Sequence, residues 1–304
     1  MTELEWLKKI YPYLGKSFKN EDCAVIKTGH KYFLFTTDAL VEGVHFHLSY
    51  FNYYNIGYKL GAINLSDIAA GGGTPLWALL NLGTKEISEK TIEFFEGLYT
   101  CLKNAGAQII GGDTVKSSVF FCSLTLIGET KYPLLRKGAK VGDLIFVSKP
   151  LGESAAFLRF IKEKDLNEIP ENLKTAHLKP IPEIELGKRL SELKIPSSCI
   201  DISDGLVLDL SRICEENGLG AVLWQEKIPI GAEATFEEAL YGGEDYALLF
   251  TVPKENVDKL KKLEKMLKKE LFCIGQLIKE NKIYLEEGDK FVPLKKQGFD
   301  HFAK

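Results

Sequence analysis

The stretch "SSCIDISDGLVLDLSRICEEN", residues 197–217, joins a predicted strand to a predicted helix through a short turn at residues 203–205. The apolar run before the turn is typical of a buried strand, and the apolar positions after it recur with helical spacing as far as Gly218. The stretch contains Asp201, Asp204 and Asp209, but no Lys or Arg before Arg212. Because a carboxylate is costly to bury without a partner, we expect these aspartates to face a positive charge.

Further strands and helices are predicted on both sides of this unit. In the first half, apolar alternation predicts strands at "YFLFTT", "WALLNLG", "AQIIGG" and "VFFCSLTLIG". Helices are predicted at residues 53–70, which stop at three glycines, and from near Ser88 to Gly106. In the second half, strands are predicted at "LIFVSKP", "YALLFTV", "LFCIGQLI" and "KIYLEE", with helices after "LGES" and at about residues 254–269. The charged segment "KYPLLRKGAKVGD" indicates a boundary, so we predict two α+β domains, residues 1–135 and 136–304.

Composition excludes several classes of protein. Of the 304 residues, 45% are hydrophobic and 27% are charged, as in a globular protein. The net charge of -3 argues against nucleic-acid binding, and no apolar run reaches the length of a membrane span. The N-terminus does not resemble a secretory signal, and the six cysteines form no CxxC pair or Cys/His metal spacing. We therefore expect a cytoplasmic protein with reduced, mostly buried thiols.

Glycines stand beside several of the acidic residues. They are Gly71 to Gly73 after Asp67, Gly111 and Gly112 before Asp113, Gly205 after Asp204, and Gly242 and Gly243 before Glu244. Any one pair could be an ordinary turn. Four such pairings favour turns whose backbone amides approach a ligand closely.

Standard nucleotide-binding and hydrolase motifs are absent, because the sequence contains no GxxxxGK[ST], GxGxxG, HExxH or GxSxG. What remains is a set of oxygen ligands, with adjacent hydroxyls at Thr36, Thr37 and Ser203. The carboxylates of this set are Asp22, Asp38, Asp67, Asp113, Asp201 and Asp204. Clustered carboxylates repel one another unless a cation lies between them, and oxygen ligands suit Mg²⁺ or Mn²⁺.

Several divalent ions would in turn attract a polyphosphate. Arg136 and Lys137 could add direct phosphate contacts, or they could be a solvated charge cluster at the domain boundary. From the residues alone, the sequence predicts a phosphate-handling enzyme with several metal ions.

The ordered motifs resemble those of the thiamine-monophosphate kinases, ATP-dependent enzymes of the aminoimidazole-ribonucleotide-synthetase-like superfamily. The motifs are "EDCAV", "TTDALVEGVHF", "NLSDIAAGGGTPLW", "IIGGDT", "LRKGAKVGD", "DISDGLVLDL", "GGEDYALLFT" and "GFDHF". The resemblance implies an N-terminal α+β domain that binds ATP and metal and forms a barrel-like sheet core in a homodimer. It also implies a C-terminal α/β domain that completes the active site. The implied reaction is transfer of the γ-phosphoryl group of ATP to thiamine monophosphate, assisted by several Mg²⁺ ions.

The resemblance also implies a role for individual residues. The implied metal ligands are Asp22, Thr36, Thr37, Asp38, Asp67, Asp113, Asp201 and Asp204. The implied ATP contacts are Gly112, Asp113, Arg136 and Ser203, of which Asp113 and Arg136, together with Asp204, would be catalytic. His45, Glu244 and Phe299 would lie against thiamine monophosphate, and Asp209 is expected on the helix surface. Each substrate contact has an alternative: a packed or surface histidine at His45, an acidic turn at Glu244 and simple tail packing at Phe299.

The acceptor of this reaction is itself a phosphate ester, whose second pKa is about 6, so it is mostly a dianion at neutral pH. It needs no general base, which agrees with a chain that has five histidines and no evident Ser-His or Cys-His arrangement. We expect direct in-line transfer without a phospho-enzyme. Two alternatives are another ATP-using enzyme of the same superfamily, which would activate a carbonyl oxygen or a selenide, and a non-catalytic nucleotide or metal sensor.

Overall fold

The computed structural model describes Trp6, residues 9–15 and residues 20–298. Within these residues, the strands form one five-stranded and one seven-stranded sheet. The strands are β1 (Ala24–Thr28), β2 (Lys31–Val41), β3 (Thr74–Thr84), β4 (Gln108–Lys116), β5 (Phe121–Thr130), β6 (Leu144–Val147), β7 (Ser198–Asp201), β8 (Gly220–Trp224), β9 (Leu248–Val252), β10 (Phe272–Ile278), β11 (Ile283–Glu287) and β12 (Lys290–Pro293). The α-helices are α1 (Tyr53–Ala70), α2 (Glu89–Asn104), α3 (Glu153–Phe160), α4 (Glu171–Leu178), α5 (Ile184–Glu192), α6 (Leu206–Asn217), α7 (Phe236–Tyr241) and α8 (Val257–Leu267).

The first sheet has the order β1-β2-β5-β3-β4, and only the pair β3–β4 is parallel. Side chains along β5 alternate between buried and half-buried, as expected for a strand with one face on a core. Its inner face carries Leu124 and Leu126, which lie in one core with residues of α1 and α2. The outer face exposes Trp77 and Leu79 of β3. Among the described residues of the single chain, this sheet is therefore covered on one side and open on the other.

Helix α1 is buried along most of its length, and glycines let neighbouring helices approach it closely. A Cβ atom at Gly57 would lie 1.9 Å from the backbone oxygen of Phe94 in α2, and one at Gly187 would lie 2.0 Å from the backbone oxygen of Ala69. Helices at this separation hold each other in one position. The last turn of α1, which carries Asp67, is thus fixed between the two halves of the chain.

The second sheet has the order β12-β11-β8-β10-β6-β9-β7. Strand β7 is at its edge and pairs antiparallel with β9, with Asp201 opposite Leu248. Phe157 of α3 and Leu173 of α4 pack in the core of the first sheet, so helices of the second half cover part of the first. The two halves therefore share a packed boundary, and β7 ends beside it.

The predicted α+β class is confirmed, and the predicted helix at 53–70 has the observed bounds. The prediction missed strands β1, β8 and β12 and helices α4, α5 and α7. The first half therefore begins with the hairpin β1–β2, of which only β2 was predicted. Strand β1 is mostly exposed, so its sequence lacks the apolar alternation that identifies a strand. No helix in the described ranges is long and apolar enough to cross a membrane.

Candidate active site

Three aspartates from distant parts of the chain meet at the boundary between the two sheets. Asp22 precedes β1, Asp67 lies in the last turn of α1, and Asp201 ends β7. One carboxylate oxygen from each lies within 4.8 Å of the other two. This spacing is compatible with one cation bound by all three, since carboxylate oxygens lie a little over 2 Å from such an ion.

Neighbouring hydroxyls orient two of these carboxylates. The Thr36 side chain on β2 donates a hydrogen bond to Asp67, and Ser66 Oγ donates to Asp201 Oδ2 at 2.6 Å. The Cys23 thiol, which is buried, lies 3.3 Å from the backbone oxygen of Asp67. Burial first, and then the charge of Asp67, raises the pKa of Cys23 well above its usual value, so this thiol is a packed group and not a nucleophile.

The cluster carries more negative charge than it can hold alone. Burial, followed by the charges of Asp38 and Asp201, raises the pKa of Asp67 well above its usual value. Burial, followed by the charge of Asp22, also raises the pKa of Asp201 well above its usual value. Burial, with Asp22 and Asp204, raises the pKa of Asp38 to about 6. Carboxylates in this state need protons or a cation between them, so the residues present fit Mg²⁺.

Arg136 lies against one side of the cluster. Its guanidinium forms an ion pair with Asp22, and its backbone N–H donates to Glu21 Oε2 at 2.6 Å. The side chain of Asn217, at the end of α6, donates to the Arg136 carbonyl at 2.8 Å. Arg136 is 8% exposed, so it is not part of a solvated charge cluster at the boundary. Its guanidinium places a positive charge beside the carboxylates.

The turn between β7 and α6 is closed by Asp209. Its Oδ2 accepts hydrogen bonds from the backbone N–H groups of Ser203, Asp204 and Gly205 at 3.1, 3.1 and 3.2 Å. Arg212 forms ion pairs with both Asp209 and Asp204. Asp209 is fully buried, so the prediction that it lies on the helix surface is wrong. The cation that partners these two aspartates is the side chain of Arg212.

The segment "GGEDY" lies next to this turn. The backbone N–H of Glu244 donates to the carbonyl of Ser203 at 2.7 Å. Glu244 has a φ of 64°, a left-handed conformation that a residue other than glycine adopts only when its surroundings impose it. Its carboxylate forms an ion pair with Lys59 of α1 at 2.8 Å and lies 3.2 Å from Nδ1 of His177 on α4. The side chain of Glu244 is therefore fixed by two different helices.

A cavity of about 900 Å³ begins at these residues. Asp38, Asp204 and Arg212 form charged parts of its wall, with Ser203, Glu244 and His45 beside them. The remaining wall includes Val44, Tyr50, Leu158, Ile161 and Leu166. His45 is half-buried, and its Nδ1 accepts a hydrogen bond from the backbone N–H of Val41 at 3.1 Å. The cavity therefore combines carboxylates suited to cations with apolar and aromatic surface suited to rings.

The structure does not bring all the predicted ligands together in one chain. Asp38 shares the inner face of the first sheet with Leu124 and Leu80, whereas Asp113 is aligned with Asn81 on the outer face. Thr37 also points to the outer face, 3.3 Å from the Thr125 hydroxyl. Gly112 lies on the edge strand β4, which is exposed along most of its length. Phe299 lies outside the described residues.

Sequence reasoning missed Lys59, His177 and Arg212. Lys59 stands in the mostly apolar segment "GYKLGAINL" of a helix that is buried on nearly every side. A lysine in such a helix signals a buried ionic partner, because lysine is rarely buried alone. Arg212 follows Asp209 by three residues, which is the spacing of neighbours on one helix face. His177 carried no comparable signal.

The two halves of the chain match two family models. Residues 20–130 match AIR synthase related protein, N-terminal domain, and residues 140–287 match AIR synthase related protein, C-terminal domain. A thiamine-monophosphate kinase of Buchnera aphidicola subsp. Acyrthosiphon pisum is 37% identical over 99% of both chains. That of Escherichia coli K12 is 36% identical over 93% of this chain and 91% of its own.

Among solved structures, AaThiL complexed with AMPPCP and TMP superposes with a TM-score of 0.87 and 30% identity. That match covers 99% of this chain and 97% of the other. The sequence match and the structural match thus both extend over nearly the full length of the two chains compared. The chain belongs to the AIR synthase related proteins and, among them, to the thiamine-monophosphate kinase family.

Proposed function

We propose that this chain transfers the γ-phosphoryl group of ATP to thiamine monophosphate and thereby forms thiamine diphosphate. The observation that carries the proposal is the cluster of Asp22, Asp67 and Asp201, whose neighbour Asp38 lines a cavity with apolar and aromatic walls. The names of its relatives support the reaction, and the AaThiL complex with AMPPCP and TMP supports the two substrates.

Several Mg²⁺ ions are proposed as cofactors. The inner face of the first sheet and its neighbours supply the ligands Asp22, Thr36, Asp38, Asp67, Asp201 and Asp204. When bound, such ions neutralise and orient the phosphates of ATP. The protein's part is to hold these oxygens in place through Thr36, Ser66 and the buried end of α1.

Arg136 and the side chain of Ser203 are proposed to hold the phosphates of ATP directly. Arg136 is anchored by Glu21, Asp22 and Asn217, so its guanidinium is fixed before ATP binds. A hydrogen-bond donor that is already held in place can stabilise a transferring phosphoryl group without a cost of reorganisation during the reaction. Ser203 lies in the cavity wall.

Thiamine monophosphate is proposed to occupy the cavity, with its phosphate near Asp38 and Asp204 and its rings along the apolar walls. His45 and Glu244 contact it there, and Phe299 is proposed as a third contact. Because the acceptor phosphate is mostly a dianion at neutral pH, no residue has to remove a proton from it. The role of the chain is to bring two anions together in line, which agrees with a site made of arginines and of acids that could bind cations.

A homodimer is proposed to supply what the single chain keeps apart. Thr37, Gly112 and Asp113 lie on the outer face or exposed edge of the first sheet, together with Trp77 and Leu79. A second copy packed on this face would bury the two apolar side chains and form the barrel-like core. It would also place Asp113 of one chain where it could bind metal ions at an active site. A cytoplasmic location is proposed from the six cysteines, all of which are free thiols.

The test is an assay of ADP release with Mg²⁺, with and without thiamine monophosphate. We expect ADP only when both substrates are present, with thiamine diphosphate as the second product. Asp204→Asn should lose at least 100-fold in rate, whereas Asp258→Asn, an exposed carboxylate on α8, should retain it. ATP binding without ADP release would instead indicate a sensor, and ADP release that ignores thiamine monophosphate would indicate another enzyme of the superfamily.

A further inference from the structure

Lys59 is fully buried on α1 and has one anionic partner within the described residues. Its Nζ lies 2.8 Å from Glu244 Oε1 and 5.4 Å from the centre of the Phe51 ring. Burying an ammonium group is costly, and removing either member of such a pair leaves an uncompensated charge. Glu244 itself is 24% exposed in its side chain and lines the cavity. Lys59 itself does not line the cavity, so it can affect a ligand there only through Glu244.

His177 lies at the other oxygen of the same carboxylate. Its Nδ1 is 3.2 Å from Glu244 Oε2 and 2.9 Å from Ser154 Oγ, and its ring stacks on Phe157 at 4.6 Å. Burial first, and then the charge of Lys59, lowers the pKa of His177 to about 4, so the ring is neutral at physiological pH. Ser154 Oγ and the Glu244 carboxylate thus both lie at the Nδ1 side of a neutral ring.

The ionised state of Glu244 is held by these two neighbours. Burial alone would raise the pKa of Glu244, but Lys59 and then His177 outweigh burial and hold it well below its usual value. The carboxylate is therefore ionised at every pH at which the protein would be assayed. It offers the cavity lone pairs and no proton, while its charge is balanced by Lys59.

We propose that Lys59, together with His177, is a positioning residue that keeps Glu244 an acceptor-only group, and that Glu244 thereby selects a ligand by an N–H donor. This inference rests on the proposed function. In thiamine monophosphate the hydroxyl is esterified, so the amino group of the aminopyrimidine ring carries the N–H donors. Because the Lys59–Glu244 pair is neutral as a whole, it selects this hydrogen bond and not the positive charge of the thiazolium ring.

Three phosphate esters distinguish these possibilities: thiamine monophosphate, its analogue with a keto oxygen in place of the amino group, and its analogue with a neutral thiophene ring in place of thiazolium. Affinities are measured by calorimetry on the full chain with Mg²⁺ and a non-hydrolysable ATP analogue. We expect wild type to prefer the amino over the keto ligand by on the order of 100-fold or more, since an acceptor facing an acceptor is left unpaired. Equal affinity for these two would overturn the inference.

Variants then assign the preference to the buried pair. Lys59→Met should reduce the amino-over-keto preference by at least tenfold, because a neutralised Glu244 can also donate. Because loss of one charge can prevent folding, the double variant Lys59→Met/Glu244→Gln, which removes both charges, provides a folded alternative and should show the same reduced preference. Lys164→Met is the matched control: it removes a cavity lysine that lies over Phe160, and it should leave the preference unchanged.

The outcomes separate this inference from the proposed function. An amino-over-keto preference that survives in Lys59→Met or in the double variant Lys59→Met/Glu244→Gln overturns the inference. So does a change confined to the preference for thiazolium over thiophene, because Glu244 would then respond to charge. If wild type binds thiamine monophosphate no better than inorganic phosphate, the proposed function fails, and the inference fails with it.

Discussion

Ser66 on α1 donates a hydrogen bond of 2.6 Å to Asp201 on β7, across 135 residues of chain. Both side chains are buried, so this contact joins the helix of the first half to the edge strand of the second. It also places Asp67, the next residue on α1, beside Asp201. The geometry of the carboxylate cluster therefore depends on how the two halves pack, and each half alone holds an incomplete site.

Asp67→Asn should abolish metal binding and reduce turnover by at least 100-fold while leaving the melting temperature within a few degrees of wild type. The amide keeps a hydrogen-bonding group for Thr36 but removes a charge that repels Asp38 and Asp201, so the two effects on stability offset each other. Calorimetry with Mg²⁺ and thermal unfolding are the measurements, with Asp258→Asn as the control. A variant with wild-type turnover at limiting Mg²⁺ would remove Asp67 from the site.

Metal binding should release protons, and it should release more at pH 6 than at pH 8. A raised pKa means that the metal-free protein holds a proton that the ion must displace, and Asp38 titrates at about 6. Affinity for Mg²⁺ should therefore rise with pH. Calorimetry in two buffers of different ionisation enthalpy gives the proton count, and Asp38→Asn should reduce the difference between the two pH values. Heats that do not depend on the buffer at pH 6 would contradict this prediction.

Asp209→Ala should destabilise the protein by about 3 kcal/mol or more, because it leaves three backbone N–H groups and part of Arg212 without their partner. Asp209→Asn keeps an acceptor for the turn and should cost less. Urea unfolding of both variants measures the free energy of unfolding. A change below about 1 kcal/mol for the alanine variant would mean that Asp209 does not stabilise the turn.

The sequence predicted most of the regular structure of the first half and the acids that meet at its boundary. Helix α1 was predicted with its observed bounds because its apolar spacing is strong and three glycines end it. The burial of Asp209 could not be predicted, since its partners are backbone amides whose directions depend on the shape of the turn. Lys59 and Glu244 likewise lie far apart in the chain, and only the packing of α1 against the "GGEDY" segment brings them together.

The sequence also did not predict which face of the first sheet each side chain occupies. The sequence places Thr36, Thr37 and Asp38 in consecutive positions and therefore suggests one site. In a strand, consecutive side chains point to opposite faces, so Thr36 and Asp38 face the cluster and Thr37 does not. The pairing of β4 with β3 likewise places Asp113 on the outer face, and the pairing of strands cannot be predicted from periodicity alone.

The protein should be a homodimer through the outer face of the first sheet. Trp77 and Leu79 are 42% and 40% exposed there, and Leu79→Glu should place a charge in the interface and yield monomers with little activity. Ile87→Glu changes an apolar side chain that is 82% exposed outside this face, and it should remain dimeric. Light scattering at micromolar concentration is the measurement. A wild-type species of 34.1 kDa would contradict the prediction.

The phosphoryl group should pass directly from ATP to thiamine monophosphate, without a phospho-enzyme. The described site holds carboxylates, arginines and hydroxyls, and its buried thiol at Cys23 has a pKa raised well above its usual value. An aspartate such as Asp67 or Asp201 could be phosphorylated only by giving up the charge that would bind a cation.

One in-line displacement inverts the configuration at a chiral, isotopically labelled γ-phosphorus, whereas two successive displacements restore it. We therefore expect inversion, no exchange between ATP and ADP in the absence of acceptor, and no acid-labile phosphate on the protein after incubation with ATP alone. Retention of configuration would establish a covalent intermediate, and the six aspartates proposed as ligands would then be the candidates to map by mass spectrometry.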